Sequence, residues 1–150
     1  MNRAYLSLGS NIDPEYNLPA AVQLLGEYGL VLTSSHVWES RAVDDSNQPN
    51  YLNAAVLLET HISARLLRLQ VIRNIEHALG RTRDPQDPHT ARVIDIDIML
   101  FNRDIIILGQ RKIPDEEIME RAFVALPLAE IDPDYIHPEN GQTLTEIADG

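Results

Sequence analysis

Two aspartates in an apolar segment are the residues whose types and spacing best suit chemistry. Asp95 and Asp97 alternate with isoleucines, which predicts a strand with both carboxylates on one face. The opposite, apolar face would comprise Ile94, Ile96, Ile98 and Leu100. Carboxylates whose Cα atoms lie roughly 6.5–7 Å apart repel one another unless protons or a cation intervene, and Mg²⁺ favours such oxygen ligands. The pair therefore predicts a Mg²⁺ site, with an ordinary solvated strand face as the alternative.

Arginine dominates the basic residues in a way that bears on the same chemistry. Eleven of the 12 basic residues are Arg, Lys112 being the exception, and six of these arginines fall between Arg65 and Arg92. Guanidinium groups bind phosphate oxygens in a bidentate manner, and acidic metal ligands beside them are typical of phosphoryl transfer. Composition bias is an alternative explanation for five of the eleven, namely Arg3, Arg65, Arg68, Arg103 and Arg111.

A second group of side chains suits a flat heterocycle. Tyr51 and Asn53 lie two residues apart in a predicted strand and therefore share a face. An aromatic ring can stack on a heterocycle while a carboxamide pairs with its polar edge. A surface tyrosine beside a strand-edge asparagine is the alternative. For Phe123, which follows Arg121 closely, core packing is the simplest interpretation.

The elements that would position these residues occur in the order strand, helix, strand, strand, helix, strand. That order is typical of an α+β fold of the ferredoxin-like βαββαβ type. The predicted strands span 4–8, 30–39, 51–60 and 93–101, and the predicted helices span 17–25 and 63–79. Helical periodicity places Leu18, Ala21, Val22 and Leu25 on the buried side of the first helix. On the second helix, the buried side would comprise Leu66, Leu69, Ile72, Ile75 and Leu79.

The sequence after residue 101 is less regular. A short strand over 105–108 and a helical turn over 115–119 are predicted, and Pro127, Pro133 and Pro138 interrupt the remainder. We therefore expect a ferredoxin-like core with an irregular C-terminal extension. Since no repeat or linker divides the chain, residues 1–150 are expected to form a single domain.

Composition excludes several classes of function. The 150 residues include no Cys, which removes disulfides, thiolate metal sites and cysteine nucleophiles. A net charge of −11 argues against a nucleic acid or an anionic membrane as partner. No apolar run is long enough to span a membrane, and no secretory signal is evident. We expect a cytoplasmic protein that is a monomer or a small homo-oligomer.

Several segments, taken in order, resemble one known family, the 6-hydroxymethyl-7,8-dihydropterin pyrophosphokinases of folate biosynthesis. The segments are Tyr5-Leu6-Ser7-Leu8-Gly9-Ser10-Asn11, Gln48-Pro49, Tyr51-Leu52-Asn53-Ala54-Ala55-Val56, Leu79-Gly80-Arg81, Arg92-Val93-Ile94-Asp95-Ile96-Asp97-Ile98, Arg121-Ala122-Phe123-Val124 and Pro127-Leu128. The resemblance covers essentially the whole chain and implies the same ferredoxin-like α+β fold. It also implies an enzyme that transfers pyrophosphate from ATP to the hydroxymethyl oxygen of the pterin and releases AMP, without a covalent enzyme intermediate.

The resemblance also implies roles for individual residues. Asp95 and Asp97 would bind two Mg²⁺ ions that bridge the ATP phosphates, and together with Arg81 and Arg92 they would form the catalytic set. The implied pterin-binding residues are Ser40, Ala42, Val43, Tyr51, Asn53 and Phe123, with the two aromatic rings on either side of the pterin. The implied ATP-binding residues are Arg73, Glu76, Arg83, Ile98, Lys112 and Arg121. Loops over 40–50 and 84–91 would close over the site.

Three departures from the family pattern fall on the ATP side or on these loops. The segment Asp87-Pro88-His89-Thr90-Ala91 stands where the family usually has Trp-Gly-Pro before the strand arginine. Asp115 stands in place of the usual His after Pro114, and Arg41-Ala42 replaces Pro-Pro. These changes leave open a diverged, non-catalytic pterin- or nucleotide-binding regulatory module on the same fold. A nucleic-acid-binding domain of this fold would need a basic sheet face, which the predicted strands lack.

Overall fold

The computed structural model describes residues 1–41, 49–80 and 93–150. Its strands are β1 (Asn2–Ser10), β2 (Leu30–Ser34), β3 (Trp38–Ser40), β4 (Tyr51–Thr60), β5 (Asp95–Phe101), β6 (Ile106–Leu108) and β7 (Arg111–Ile113). Its α-helices are α1 (Pro14–Leu25), α2 (Ala64–Leu66), α3 (Arg73–Ala78), α4 (Glu117–Glu120), α5 (Ala122–Ile131) and α6 (Leu144–Asp149). A π-helical segment, Leu67–Ile72, joins α2 to α3.

The main sheet is antiparallel and has the order β2-β4-β1-β5, with β3 also paired to β4. The connection from β1 through α1 to β2 leaves a gap in the sheet, which β4 fills. The connection from β4 through α2 and α3 then leads to β5 on the other side of β1. This is the ferredoxin-like arrangement predicted from the sequence. The β6–β7 hairpin forms a separate small sheet.

Side chains alternate between the two faces of the sheet, and helices cover both faces. On the first face, Leu6 and Leu8 of β1 belong to a buried cluster with apolar residues of α1, the π-helical segment and α3. On the second face, Tyr5 of β1 and Leu57 of β4 belong to a buried cluster with residues of α5 and α6. We call these the first and second faces below. Because both faces are covered over most of their area, ligands must approach where this covering ends.

A bulge at Met99 changes the alternation along β5. Leu6 pairs with Ile98 whereas Tyr5 pairs with Leu100, so Met99 is the extra residue. Ile94, Ile96 and Ile98 lie in the first-face cluster as predicted. The prediction for Leu100 was wrong, because the bulge moves it, with Met99, to the second face.

The predicted buried side of the second helix was partly wrong. Ile72 and Ile75 are buried, but Leu66 and Leu69 are 48% and 40% exposed. Leu67 and Val71 are buried in their place. The π-helical segment accounts for the difference, since a π turn holds more residues than an α turn and rotates the buried side along the chain. The buried side predicted for α1 is confirmed, with Val22 partly buried.

The region after β5 is more regular than the sequence suggested. α5 continues through Pro127. The burial of Val124, Ala125 and Leu128 against the second face stabilises the helix around this proline. α6 begins with a capping box, in which Thr143 and Glu146 satisfy one another's backbone N–H groups. The strand expected over 30–39 is interrupted at 35–37. Within the described ranges, no helix is both long and apolar enough to cross a membrane.

Candidate functional site

The register of the three central strands places the predicted site residues in neighbouring rows on the second face. Gly9 of β1 pairs with Asn53 of β4 on one side and with Asp95 of β5 on the other. In the next row, Ser7 pairs with Asp97. Residues two apart on a strand share a face, so the amide and both carboxylates lie on the same side of the sheet. The sequence predicted each face separately, and the register brings them together.

Gly9 keeps the middle of this row open. A Cβ atom at this position would lie 3.2 Å from Oδ1 of Asn53 and 3.7 Å from Cδ1 of Tyr51. Both neighbours therefore lean over the glycine, and any larger residue would press against them. The result is a flat area of backbone between an amide and a carboxylate, bordered by an aromatic ring.

Asn53 is held rigidly for recognition. Its side chain is buried, and its Nδ2 donates to Oγ of Ser40 at 2.8 Å and to the carbonyl of Trp38 at 3.1 Å. These two bonds engage the amide donors, so Oδ1 is the atom that the side chain offers to a ligand. An acceptor held in this way suits a ligand edge that carries N–H groups. Ser40 thus supports the site by orienting Asn53.

Phe123 approaches the same side of the sheet from α5. It lies in the first turn of that helix, is partly buried, and packs against the second-face cluster. Tyr51 is also partly buried and belongs to the same face of β4 as Asn53. Tyr51 therefore borders the amide from the sheet, and Phe123 comes from the helix that covers the same face. This arrangement suits a flat, unsaturated ring.

The carboxylate pair is under electrostatic strain. Burial, followed by the charge of Asp95, raises the pKa of Asp97 to about 8, whereas Arg111 acts in the opposite direction. Glu117 contributes to the same effect, and burial likewise raises its own pKa. A cation at this pair would relieve the repulsion. Among the described residues, no group of three or more His, Cys, Asp or Glu side chains could hold a metal ion. Mg²⁺ held by one or two carboxylates usually completes its coordination with substrate oxygens and water.

Arg111 is the residue of this site that sequence reasoning missed. Its Nη2 lies 3.0 Å from Oδ1 of Asp97, and its Nη1 lies 3.1 Å from Oδ2 of Asp115. The sequence left composition bias open as an explanation for Arg111, and the structure gives this arginine local partners instead. Asp115 also accepts a hydrogen bond from the backbone N–H of Glu117, at the start of α4. The sequence separation between Arg111 and Asp97 did not predict their contact, because the contact depends on the β6–β7 hairpin, which brings Arg111 back to β5.

A small cleft beside Asp97 combines basic and apolar residues. It is lined by Arg68, Ile72, Ile96, Asp97, Ile98, Leu108, Arg111, Lys112, Ile113 and Asp115. Arg68, another arginine for which composition bias was left open, donates from Nη1 to the carbonyl of Leu108 at 2.6 Å. Lys112 is paired with Glu139 at 2.6 Å. The structure thus places two predicted ATP-binding residues, Ile98 and Lys112, in one cleft with a predicted metal ligand.

The other predicted residues are placed differently. Glu76 is buried, and its Oε2 accepts a hydrogen bond from the backbone N–H of Ile96 at 3.1 Å. This bond joins α3 to β5. Arg73 is exposed on α3, and Arg121 is exposed at the start of α5. Five predicted residues lie outside the described ranges: Ala42, Val43, Arg81, Arg83 and Arg92. The same holds for residues 42–48 and 84–91 of the two loops predicted to close.

Together, the ferredoxin-like sheet and its row of amide, glycine and carboxylates beside an arginine-containing cleft define a small-molecule site suited to a phosphate-bearing substrate. A family model described as 7,8-dihydro-6-hydroxymethylpterin-pyrophosphokinase (HPPK) matches residues 5–133. The chain belongs to this family. The resemblance and the fold class inferred from the sequence are therefore confirmed.

Individual relatives agree with the family match. The 2-amino-4-hydroxy-6-hydroxymethyldihydropteridine pyrophosphokinase of Bacillus subtilis is 42% identical over 134 residues, which is 87% of this chain and 78% of the relative. The protein of the same name from Methylorubrum extorquens is 39% identical over 149 residues, covering 97% of this chain and 91% of the relative. Relatives named as enzymes over most of their length do not favour the non-catalytic alternative.

Solved structures support the fold. The crystal structure of a Plasmodium falciparum HPPK-DHPS triple mutant matches with a TM-score of 0.78 at 17% identity, covering 99% of this chain and 43% of that chain. The wild-type protein with pteroate matches with a TM-score of 0.75 at 16% identity, covering 99% of this chain and 42% of that chain. At these identities, the comparison bears on the fold alone.

Proposed function

We propose that this chain transfers the pyrophosphoryl group of ATP to the hydroxymethyl oxygen of 6-hydroxymethyl-7,8-dihydropterin, in folate biosynthesis. The observation that carries the proposal is the row of Asn53, Gly9 and Asp95 across three adjacent strands. It sets a site for a flat ring directly beside a carboxylate pair. Membership of the pyrophosphokinase family supplies the reaction to which this geometry is suited.

The pterin ring fits between the amide and the aromatic side chains. Its 2-amino group and ring N–H form a donor edge, which matches the acceptor Oδ1 of Asn53. Tyr51 and Phe123 would contact the two faces of the ring, and Gly9 permits it to lie close to β1. Backbone groups near Ala42 and Val43 remain predicted contacts. The hydroxymethyl group would then point along the row toward Asp95.

The carboxylate pair suits Mg²⁺. Asp95 and Asp97 are oxygen donors on one strand face, both partly exposed, and their mutual repulsion favours a divalent cation. When bound, Mg²⁺ supplies charge neutralisation to the phosphate oxygens. The two residues hold and orient the ions, and we propose two ions with ATP. Glu76 positions the strand that carries both carboxylates.

The phosphates would extend from the carboxylate pair into the cleft beside Asp97. Ile98 supplies an apolar wall there, and Lys112, whose ammonium is paired with Glu139, remains a predicted phosphate contact. Arg73, Arg81, Arg83, Arg92 and Arg121 remain the further predicted ATP-side residues. In the transfer, the pterin oxygen forms a bond to the β-phosphorus, the bond from this phosphorus to the α–β bridging oxygen breaks, and AMP leaves with that oxygen. The hydroxyl proton passes to solvent.

Formation of AMP tests the function directly. Purified protein, ATP, Mg²⁺ and 6-hydroxymethyl-7,8-dihydropterin should yield AMP and pterin diphosphate in equal amounts, as separated by ion-exchange chromatography. Omission of either the pterin or Mg²⁺ should stop AMP formation. If complete mixtures release no AMP above the background of a mixture without protein, the proposal is wrong. The predicted cytoplasmic location and oligomeric state are independent of this result.

A further inference from the structure

Arg111 joins two carboxylates that differ in how firmly they are held. Its Nη1 binds Asp115, whose side chain is only 8% exposed and whose second oxygen accepts from the backbone N–H of Glu117 at 2.9 Å. Its Nη2 binds Asp97, whose side chain is 26% exposed. Asp115 is therefore fixed by burial and by a second hydrogen bond at the start of α4. The contact with Asp97 is the one that can exchange.

The contact with Asp97 also lies where the proposed divalent cation would bind. Oδ1 of Asp97 accepts from the Arg111 guanidinium at 3.0 Å. Two positive charges at one carboxylate repel each other, so Arg111 and a cation compete for Asp97. A guanidinium that is released at one end and held at the other presents its donors to the nearest anion. The fork geometry of Arg suits phosphate oxygens in particular.

We propose that Arg111 is an exchangeable counter-cation of the site, which binds Asp97 in competition with the metal and contacts the phosphate chain of the nucleoside triphosphate after release, while Asp115 retains its other end. This inference rests on the proposed function and deepens its phosphate side. It assigns Asp115 the role of a positioning residue, which holds Arg111 at the edge of the cleft. It also gives a role to Arg111 and Asp115, for which the resemblance to the family implied none.

Replacement of Arg111 by leucine should change two affinities in opposite directions. Loss of the competing charge should tighten the binding of Mn²⁺ alone, measured by electron paramagnetic resonance without nucleotide, by about fivefold. Loss of a charged phosphate contact should raise KM for ATP by about tenfold or more. Arg65→Leu is the matched control, because Arg65 is exposed on α2 and its replacement removes the same charge. It should leave both quantities unchanged.

Asp115→Asn separates positioning from direct contact. The asparagine keeps an oxygen for the Glu117 N–H, so α4 retains its first turn, but the charge that holds Arg111 is lost. We expect a higher KM for ATP without tighter Mn²⁺ binding. Arg111→Gln, which keeps hydrogen-bonding capacity without charge, repeats the Arg111→Leu measurement if the leucine variant unfolds at lower urea concentrations.

Each outcome decides the inference. If removal of Arg111 weakens both Mn²⁺ and ATP binding, its role is structural, and if neither changes, it is a bystander; both results overturn the proposal. Tighter Mn²⁺ binding with unchanged KM for ATP overturns the phosphate contact. The wild-type assay for AMP is read separately, so an inactive wild-type protein contradicts the proposed function, whereas an active one with these variant results contradicts only the role of Arg111.

Discussion

At the scale of single residues, Asp97 experiences opposing influences. Burial and the nearby carboxylates favour its protonated form, whereas the guanidinium of Arg111 favours its charged form. To bind the proposed divalent cation, a carboxylate in this position would have to lose a proton or an arginine contact. Asn53 differs, since its hydrogen bonds to Ser40 and Trp38 fix it in one orientation. The site thus pairs a rigid recognition residue with an exchangeable electrostatic one.

Asp97→Asn should separate catalysis from pterin binding. The amide cannot replace the charge that holds the metal, so kcat should fall by about three orders of magnitude, corresponding to several kcal/mol of lost charge stabilisation. Pterin affinity, measured by quenching of the intrinsic pterin fluorescence, should change less than about twofold. Asp104→Asn, at an exposed acidic residue after β5, is the control and should be fully active. Near-normal turnover in Asp97→Asn would remove this residue from the metal site.

Residue types were predictable from the sequence where a pattern supported them. Asp95 with Asp97, and Tyr51 with Asn53, follow from strand alternation alone, and the structure places all four on the second face. Arg111 was not predictable, because its contact with Asp97 depends on the position of the β6–β7 hairpin. Local periodicity holds no information about where a hairpin packs against a distant strand.

At the scale of elements, β1 connects the two halves of the site without contributing a side chain at Gly9. Asn53 and Asp95 are its partners on either side, and Oδ1 of Asn53 lies 3.2 Å from where a Cβ atom of residue 9 would be. The backbone of β1 is therefore partly exposed at Gly9, and the size of the side chain at this position decides how close a ligand can come to it.

Gly9→Ala should weaken pterin binding selectively. The added Cβ would lie 3.2 Å from Oδ1 of Asn53 and would occupy the flat area. We expect the Kd for the pterin to rise about tenfold, which corresponds to about 1.4 kcal/mol, with Mn²⁺ binding unchanged. Gly26→Ala is a matched control, since its Cβ also lies 3.2 Å from a neighbouring oxygen but at the end of α1. Equal pterin affinities in the two variants would place the ring elsewhere.

Helices and strands were predictable where the apolar residues followed a single period, either helical or alternating. β1, β4 and α1 were recognised from alternation and from a clear apolar stripe. The Met99 bulge was not, because every residue from 98 to 101 is apolar and an alternation cannot be read there. The π-helical segment was hidden for a related reason, since Leu66, Leu67 and Leu69 offer two possible buried sides. α5 was missed because Pro127 suggested a break, although burial on the second face outweighs the lost hydrogen bond.

At the scale of the whole molecule, two tyrosines connect the first strand to the C-terminal region. The rings of Tyr5 and Tyr135 lie 4.9 Å apart between centroids. The hydroxyl of Tyr5 donates to Asp132 at 2.6 Å, and that of Tyr135 donates to the carbonyl of Asn102 at 2.5 Å. These bonds join β1, the end of β5 and the segment after α5, far along the chain from one another.

The Tyr135 hydroxyl should make stability depend on alkaline pH. Burial is the main cause that raises its pKa from 10.0 to about 12. Between these values the unfolded chain loses the proton and the folded chain keeps it, so the free energy of unfolding falls as pH rises. The contribution is fully present below pH 10. Tyr135→Phe should cost about 1 kcal/mol near neutral pH, measured by urea unfolding, and this difference should shrink as pH increases above 10.

The exposed Tyr16 provides the control for that measurement. Its side chain is 69% exposed, so Tyr16→Phe should leave the free energy of unfolding unchanged at both neutral and alkaline pH. A difference between wild type and Tyr135→Phe that stays constant as pH rises would show that the hydroxyl is not shielded from ionisation.

The bulge at Met99 has a consequence for how such a protein can diverge. Before the bulge, the second face of β5 carries Asp95 and Asp97, and after it the same face carries Met99 and Leu100, against which α5 and α6 pack. One strand is thus divided into a half that carries the proposed ligand-binding carboxylates and a half that anchors helices. Substitutions in the first half can change ligand preference while helix docking is preserved. Evolution, or a protein engineer, can therefore vary the chemistry of this strand independently of its structural role.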